Sequence, residues 1–135
     1  MDIKRLSDDF SVSPQIAIAD LSAIWDAGFR TLICNRPDGE DAGQPDVADV
    51  EAAARAIGFE FAHISAESGK AAMPHAMETR KFLADAPKPV LAYCRSGTRC
   101  TVIWSLMMIP ELEANDILIA TAAAGYDMSS LIAAD

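Results

Sequence analysis

Apolar positions along this chain fall into short unbroken runs separated by longer stretches with helical spacing. The first residues, Ile3 to Val12, are short and turn-rich and predict one or two small strands. Leu21, Ile24 and Trp25 share one face within 19–27, with Asp20 in the first turn and Gly28 behind it as a stop, so a helix is predicted there. Thr31-Leu32-Ile33-Cys34 is an unbroken apolar run within 30–35, the mark of a strand covered on both faces. A second helix is predicted from Asp46, as its cap, to Ile57, with Val47, Val50, Ala54 and Ile57 on one stripe and Gly58 at its end. Phe59 to Ser65 alternates as a strand. Pro74 opens a helix to Ala84 with Met77 and Phe82 inward. Pro89-Val90-Leu91-Ala92-Tyr93 is another buried strand ending at Cys94, and an apolar helix runs from Thr98 to Ile109. Pro110 breaks the chain, and a last helix spans Asn115 to Ala124 before Gly125.

Strands alternating with helices imply an α/β, three-layer sandwich with a mainly parallel central sheet and helices on both faces. Ligands of such sheets sit beyond the C-terminal ends of the strands. Three loops are therefore expected at one rim: Arg36 to Pro45, Ala66 to Met73, and Cys94 to Arg99. At 135 residues, 51% hydrophobic and 23% charged, the chain is expected to form one globular domain over 1–135. A formal net charge of −9 argues against wide contact with nucleic acid, while leaving room for a small anionic substrate in a locally positive pocket. The apolar stretches are too short to span a bilayer, and the first residues do not read as a secretory leader. The odd cysteines Cys34, Cys94 and Cys100 make no disulfide framework, so a reduced, cytoplasmic setting is expected. No residues have metal-ligand spacing, and no cofactor is expected.

The chemistry is concentrated in Tyr93-Cys94-Arg95-Ser96-Gly97-Thr98-Arg99-Cys100. A buried strand delivers a cysteine to the rim, four residues follow, then an arginine, as a helix begins. Successive N–H groups of such a turn make a nest for an anion, and the helix N-terminus adds its unpaired donors and dipole. Arg99 can close the cup with its guanidinium and Arg95 adds charge. Gly97 permits the backbone angle of the curl, and Ser96 or Thr98 can donate a hydroxyl to the sulfur. All of this favours thiolate, so Cys94 is expected to have a depressed pKa and act as a nucleophile.

Cys94-Arg95-Ser96-Gly97-Thr98-Arg99 resembles the active loop of rhodanese sulfurtransferases. Over nearly its full length, however, the chain is similar to the phosphatase-like domain of the β-lactamase-hydrolase-like proteins. That resemblance is carried by Phe10-Ser11-Val12-Ser13-Pro14-Gln15-Ile16, Cys34-Asn35-Arg36-Pro37-Asp38-Gly39-Glu40, the Cys94–Arg99 loop and Ala124-Gly125-Tyr126-Asp127. It implies a protein-tyrosine-phosphatase-like fold and either phosphatase or sulfur-transfer activity. It also implies a persulfide-oxidising metallo-β-lactamase-type partner. The loop departs from the phosphatase signature of cysteine, five residues and arginine: Arg99 comes one position early, and Tyr93 stands where a histidine is usual. The shorter loop ranks sulfane-sulfur transfer through a Cys94 persulfide first, with hydrolysis through a phosphocysteine as the alternative and a non-catalytic anion-binding module as a third reading.

A phosphatase also needs a general acid. Asp38, in the first rim loop, and Glu67, in the second, are the candidates; each also reads as an ordinary loop residue. Arg36 follows a buried strand and either binds substrate anion or forms a structural ion pair. Cys100 is either a resolving thiol or a small core residue, and Cys34 reads as core.

Overall fold

A computed structural model describes residues 1–133; the last two residues of the expected 1–135 domain lie outside the described residues. Five strands, β1 (Lys4–Ser7), β2 (Phe10–Ser13), β3 (Thr31–Cys34), β4 (Glu60–His63) and β5 (Val90–Tyr93), form one sheet in the order β1-β2-β5-β3-β4. β1 and β2 make an antiparallel hairpin at one edge, and every other pairing is parallel. The helices are α1 (Leu21–Asp26), α2 (Val47–Ile57), α3 (Met73–Leu83), α4 (Thr98–Met108) and α5 (Ala114–Ala123), with a 3-10 turn over Ile18–Asp20 leading into α1.

Side-chain alternation along β5 explains the three layers. Val90, Ala92 and Cys94 enter a core with Val12, Ile33, Cys100, Trp104 and Ile117, beneath α4 and α5. Leu91 and Tyr93 face the other way, with Leu21, Ile24, Leu32, Val50 and Ala54 beneath α1 and α2. Full burial of each large member contributes about 1.5–3 kcal/mol, so β5 is held from both faces.

Two details differ from the pattern-based expectation. Met77 does not point inward but is 64% exposed. The buried face of α3 is instead Ala76 and Thr79, with Phe82 half-buried. Thr79 can take a buried place because its hydroxyl donates to the His75 carbonyl at 2.8 Å. The N-terminus of α2 is also not capped by the Asp46 side chain, as described below.

Register places the chemistry. Tyr93 lies opposite both Ser13 and Cys34, and Cys34 lies opposite His63. The parallel strands thus finish level, and the loops after β3, β4 and β5 leave from one edge. Among the described residues no helix is long and apolar enough to cross a membrane.

Candidate active site

The loop after β5 curls directly into α4. The Cys94 N–H still donates to Ser13 O at 3.3 Å, so the cysteine's backbone belongs to the sheet. Gly97, with φ of +88°, is the residue before the first turn of α4. That left-handed angle turns its N–H back onto Cys94 Sγ at 3.1 Å. A Cβ at Gly97 would lie 2.2 Å from the Tyr126 hydroxyl, so this position excludes a side chain as well.

The Cys94 thiol is held down to a pKa of about 5. The Cys100 thiol donating to its sulfur is the largest cause; burial opposes it, and the N–H groups of Cys100, Ser96 and Gly97 assist. Cys100 moves the opposite way, well above an ordinary thiol, through burial first and then through the neighbouring Cys94. The pair therefore divides into one thiolate and one thiol donor. Ser96 and Thr98 were expected to supply that donor, but their hydroxyls bond to each other at 3.0 Å. Cys94 has no exposed surface, and an incoming group reaches its sulfur only by displacing part of that cover.

Arg99 is oriented by the other two rim loops. Its Nη1 donates to Glu40 Oε2 at 2.8 Å and to the Ala66 carbonyl at 2.9 Å, and Nη2 donates to Glu40 Oε1 at 2.8 Å. A guanidinium has five N–H donors. The two that remain, on Nε and Nη2, lie along one edge and have no protein acceptor among the described residues. That edge is a fork matched to two oxygens of an anion. Glu40 also accepts from Arg36 Nε at 2.7 Å, and its carboxyl is held down to about 2, first by the bond from Arg99, with burial opposing and Arg36 assisting.

The remaining sequence-predicted residues have varied positions. Asp38 was a candidate acid, but its carboxylate is turned to α2 and accepts the Val47 N–H at 2.8 Å. It takes the capping place that Asp46 leaves empty. Asp38→Ala is expected to cost about 1 kcal/mol in a urea titration and to leave the alkylation pH profile of Cys94 unchanged. Arg36 is only 2% exposed and is engaged at all three nitrogens by Glu40, Gln15 and Asp41. That arrangement is a buried ion-pair network that ties the first rim loop together. Arg95 is largely exposed, 3.8 Å from Asp41. Glu67 is exposed and pairs with Lys70 at 3.2 Å. It directly follows Ala66, whose carbonyl accepts from Arg99. Cys34 is a core residue whose thiol donates to the Arg36 carbonyl at 3.3 Å. Sequence reasoning missed Glu40 and Tyr126, although both lie in the stretches that carry the family resemblance. Among the described residues no three His, Cys, Asp or Glu side chains converge as a metal ion would require.

The sheet order, with a cysteine loop running from the central parallel strand into a helix, is a protein-tyrosine-phosphatase-like fold. Residues 2–111 match the family described as the phosphatase-like domain of the Beta-lactamase hydrolase-like protein, and the chain belongs to that family. A Beta-lactamase hydrolase-like protein from Agrobacterium fabrum is 28% identical over 126 residues, covering 92% of this chain and 29% of the relative. The chain thus spans about three tenths of the length of the curated relatives it matches. A crystal structure of a candidate phosphatase from Neisseria meningitidis Z2491 superposes with a TM-score of 0.84 at 32% identity, covering 96% of this chain and 93% of that one. Tk-PTP in its active form shares the fold, with a TM-score of 0.74 at 16% identity and coverage of 93% and 86%.

Proposed function

We propose that the protein is a cysteine-dependent phosphomonoester hydrolase. The observation that carries this reading is the pairing of a Cys94 thiolate with the open Nε/Nη2 edge of Arg99 on a phosphatase-type scaffold. Cys94 Sγ attacks phosphorus and the ester oxygen leaves. The loop N–H groups and the Arg99 fork hold the phosphoryl oxygens as charge spreads over them. Glu67, next in the chain to the Ala66 that holds Arg99, gives the leaving oxygen its proton and takes one back from the water that cleaves the phosphocysteine. Cys100 donates to the sulfur as it departs, lowering the cost of regenerating the thiolate.

A second reading is favoured by one observation: four residues, not five, separate Cys94 from Arg99. The smaller ring of N–H groups suits sulfane-sulfur transfer. Cys94 would attack the outer sulfur of thiosulfate, releasing sulfite, and an acceptor thiolate would then take the sulfur from the persulfide. A persulfide-oxidising metallo-β-lactamase-type domain would be the partner in that case.

Turnover of p-nitrophenyl phosphate and of thiosulfate or glutathione persulfide by one preparation separates the two readings. Aryl phosphate hydrolysis is expected to exceed sulfur transfer, and the reverse ratio would give the site to sulfur chemistry. Glu67→Gln is expected to slow phenyl phosphate hydrolysis about 10²-fold, and p-nitrophenyl phosphate much less, because its better leaving group needs no proton. Equal effects on both esters would remove Glu67 as the acid.

A further inference from the structure

We infer that Tyr126 is a positioning residue that locks the Ser96–Gly97 peptide of the active loop in the orientation that turns its N–H onto Cys94. The inference rests on the reading of Cys94 as the nucleophile and is independent of whether phosphorus or sulfur is attacked.

Both ends of that single peptide unit are held. Its N–H, from Gly97, donates to Cys94 Sγ at 3.1 Å, and its carbonyl, from Ser96, accepts from the Tyr126 hydroxyl at 2.9 Å. Rotating the unit by half a turn would aim the carbonyl oxygen at the thiolate and remove a donor from the anion cup. Gly97 offers no resistance to such a rotation, because a residue without Cβ takes either sign of φ at little cost. The pin must therefore come from outside the loop. Tyr126 is suited to the task because its own position is fixed. The end of α5 ties down its backbone, with Tyr126 N donating to Thr121 O at 2.9 Å and Gly125 N to Ala122 O at 3.0 Å. From β1, the Lys4 ammonium sits 4.8 Å from the ring centroid. Burial raises the phenol pKa, so it stays a protonated donor at any working pH. The titratable groups facing Cys94 are Cys100 and Arg99 from α4, Cys34 from β3, and Tyr126 itself. Tyr126→Phe leaves the first three in place and removes only the hydroxyl.

The test is the pH dependence of Cys94 alkylation by iodoacetamide, read by mass spectrometry on the full chain, for the unmodified protein and for Tyr126→Phe. The variant's midpoint is expected to rise by about one pH unit, which slows alkylation about fivefold at pH 5 and leaves it unchanged above pH 8. A midpoint that stays in place in the folded variant overturns the inference. So does loss of the fold by circular dichroism, since Tyr126 would then be a structural residue. A midpoint near that of an ordinary thiol in the unmodified protein would overturn the nucleophile reading and this inference with it. That outcome is recognised before any substitution is made.

Discussion

Cys94→Ser is expected to leave no measurable turnover of aryl phosphates or sulfane-sulfur donors, a loss of about 10⁴-fold or more. The loop can hold a thiolate at a pKa of about 5, but the same donors cannot ionise a serine hydroxyl at neutral pH. The substitution is nearly isosteric, so the fold and anion cup are expected to persist and to bind inorganic phosphate near neutral pH. Activity of the unmodified protein is expected to rise along an acid limb centred near pH 5, where the thiolate forms. The sign of the stability linkage follows from the same shift. The thiol pKa is lowered from 9.0 to about 5 on folding, so the thiolate's contribution is full above pH 9 and is lost as pH falls through 5. Cys94→Ser abolishes that contribution, and urea midpoints measured between pH 5 and pH 9 check it. A serine variant that retained even a hundredth of the activity would remove Cys94 from the chemistry.

Glu40→Ala is the second large effect. It strips the shared carboxylate from Arg36 and Arg99, whose side chains are 2% and 8% exposed. Arg99 is then left below the surface with only the Ala66 carbonyl, and Arg36 with Asp41 and Gln15. The expected loss is about 3–5 kcal/mol, a large part of the margin by which a domain of this size stays folded. Activity falls as well, because Arg99 loses the contact that sets its open edge. Since folding lowers the Glu40 pKa from 4.5 to about 2, its contribution is present above pH 4.5 and disappears as pH falls through 2. Urea titrations of the unmodified protein and Glu40→Gln should therefore differ at neutral pH and converge near pH 2. Equal midpoints at pH 7 would show that Glu40 is a bystander.

Much of the fold was legible because the strands buried on both faces are unbroken apolar runs. Val90–Tyr93 and Thr31–Cys34 fall within the predicted runs, and Gly58 and Gly125 end helices as expected. The helix face of α3 was misread because Met77 is apolar and exposed, while Thr79 is polar and buried by satisfying itself locally. At the site, the cysteine loop was legible because strand, cysteine, glycine, arginine and helix are contiguous. Its supports were not, because they come from far along the chain. Glu40 meets Arg99 across 59 residues, and Tyr126 meets Ser96 across 30. Asp38 sits in Pro37-Asp38-Gly39, an ordinary turn sequence, and nothing local shows that it reaches Val47. Asp46, beside the helix, carries the stronger pattern and makes no side-chain cap bond.

β4 ends the sheet on the side opposite the hairpin, and such an edge is where a second molecule can add a strand. Here the edge is only four residues long, Glu60 to His63, and charge is set along it. Arg55 of α2 reaches over to donate to the Phe61 carbonyl at 3.0 Å and lies 3.8 Å from Glu60. A neighbouring strand would have to displace that guanidinium before it could pair. The open edge of the sheet is therefore already occupied by a side chain of the chain itself.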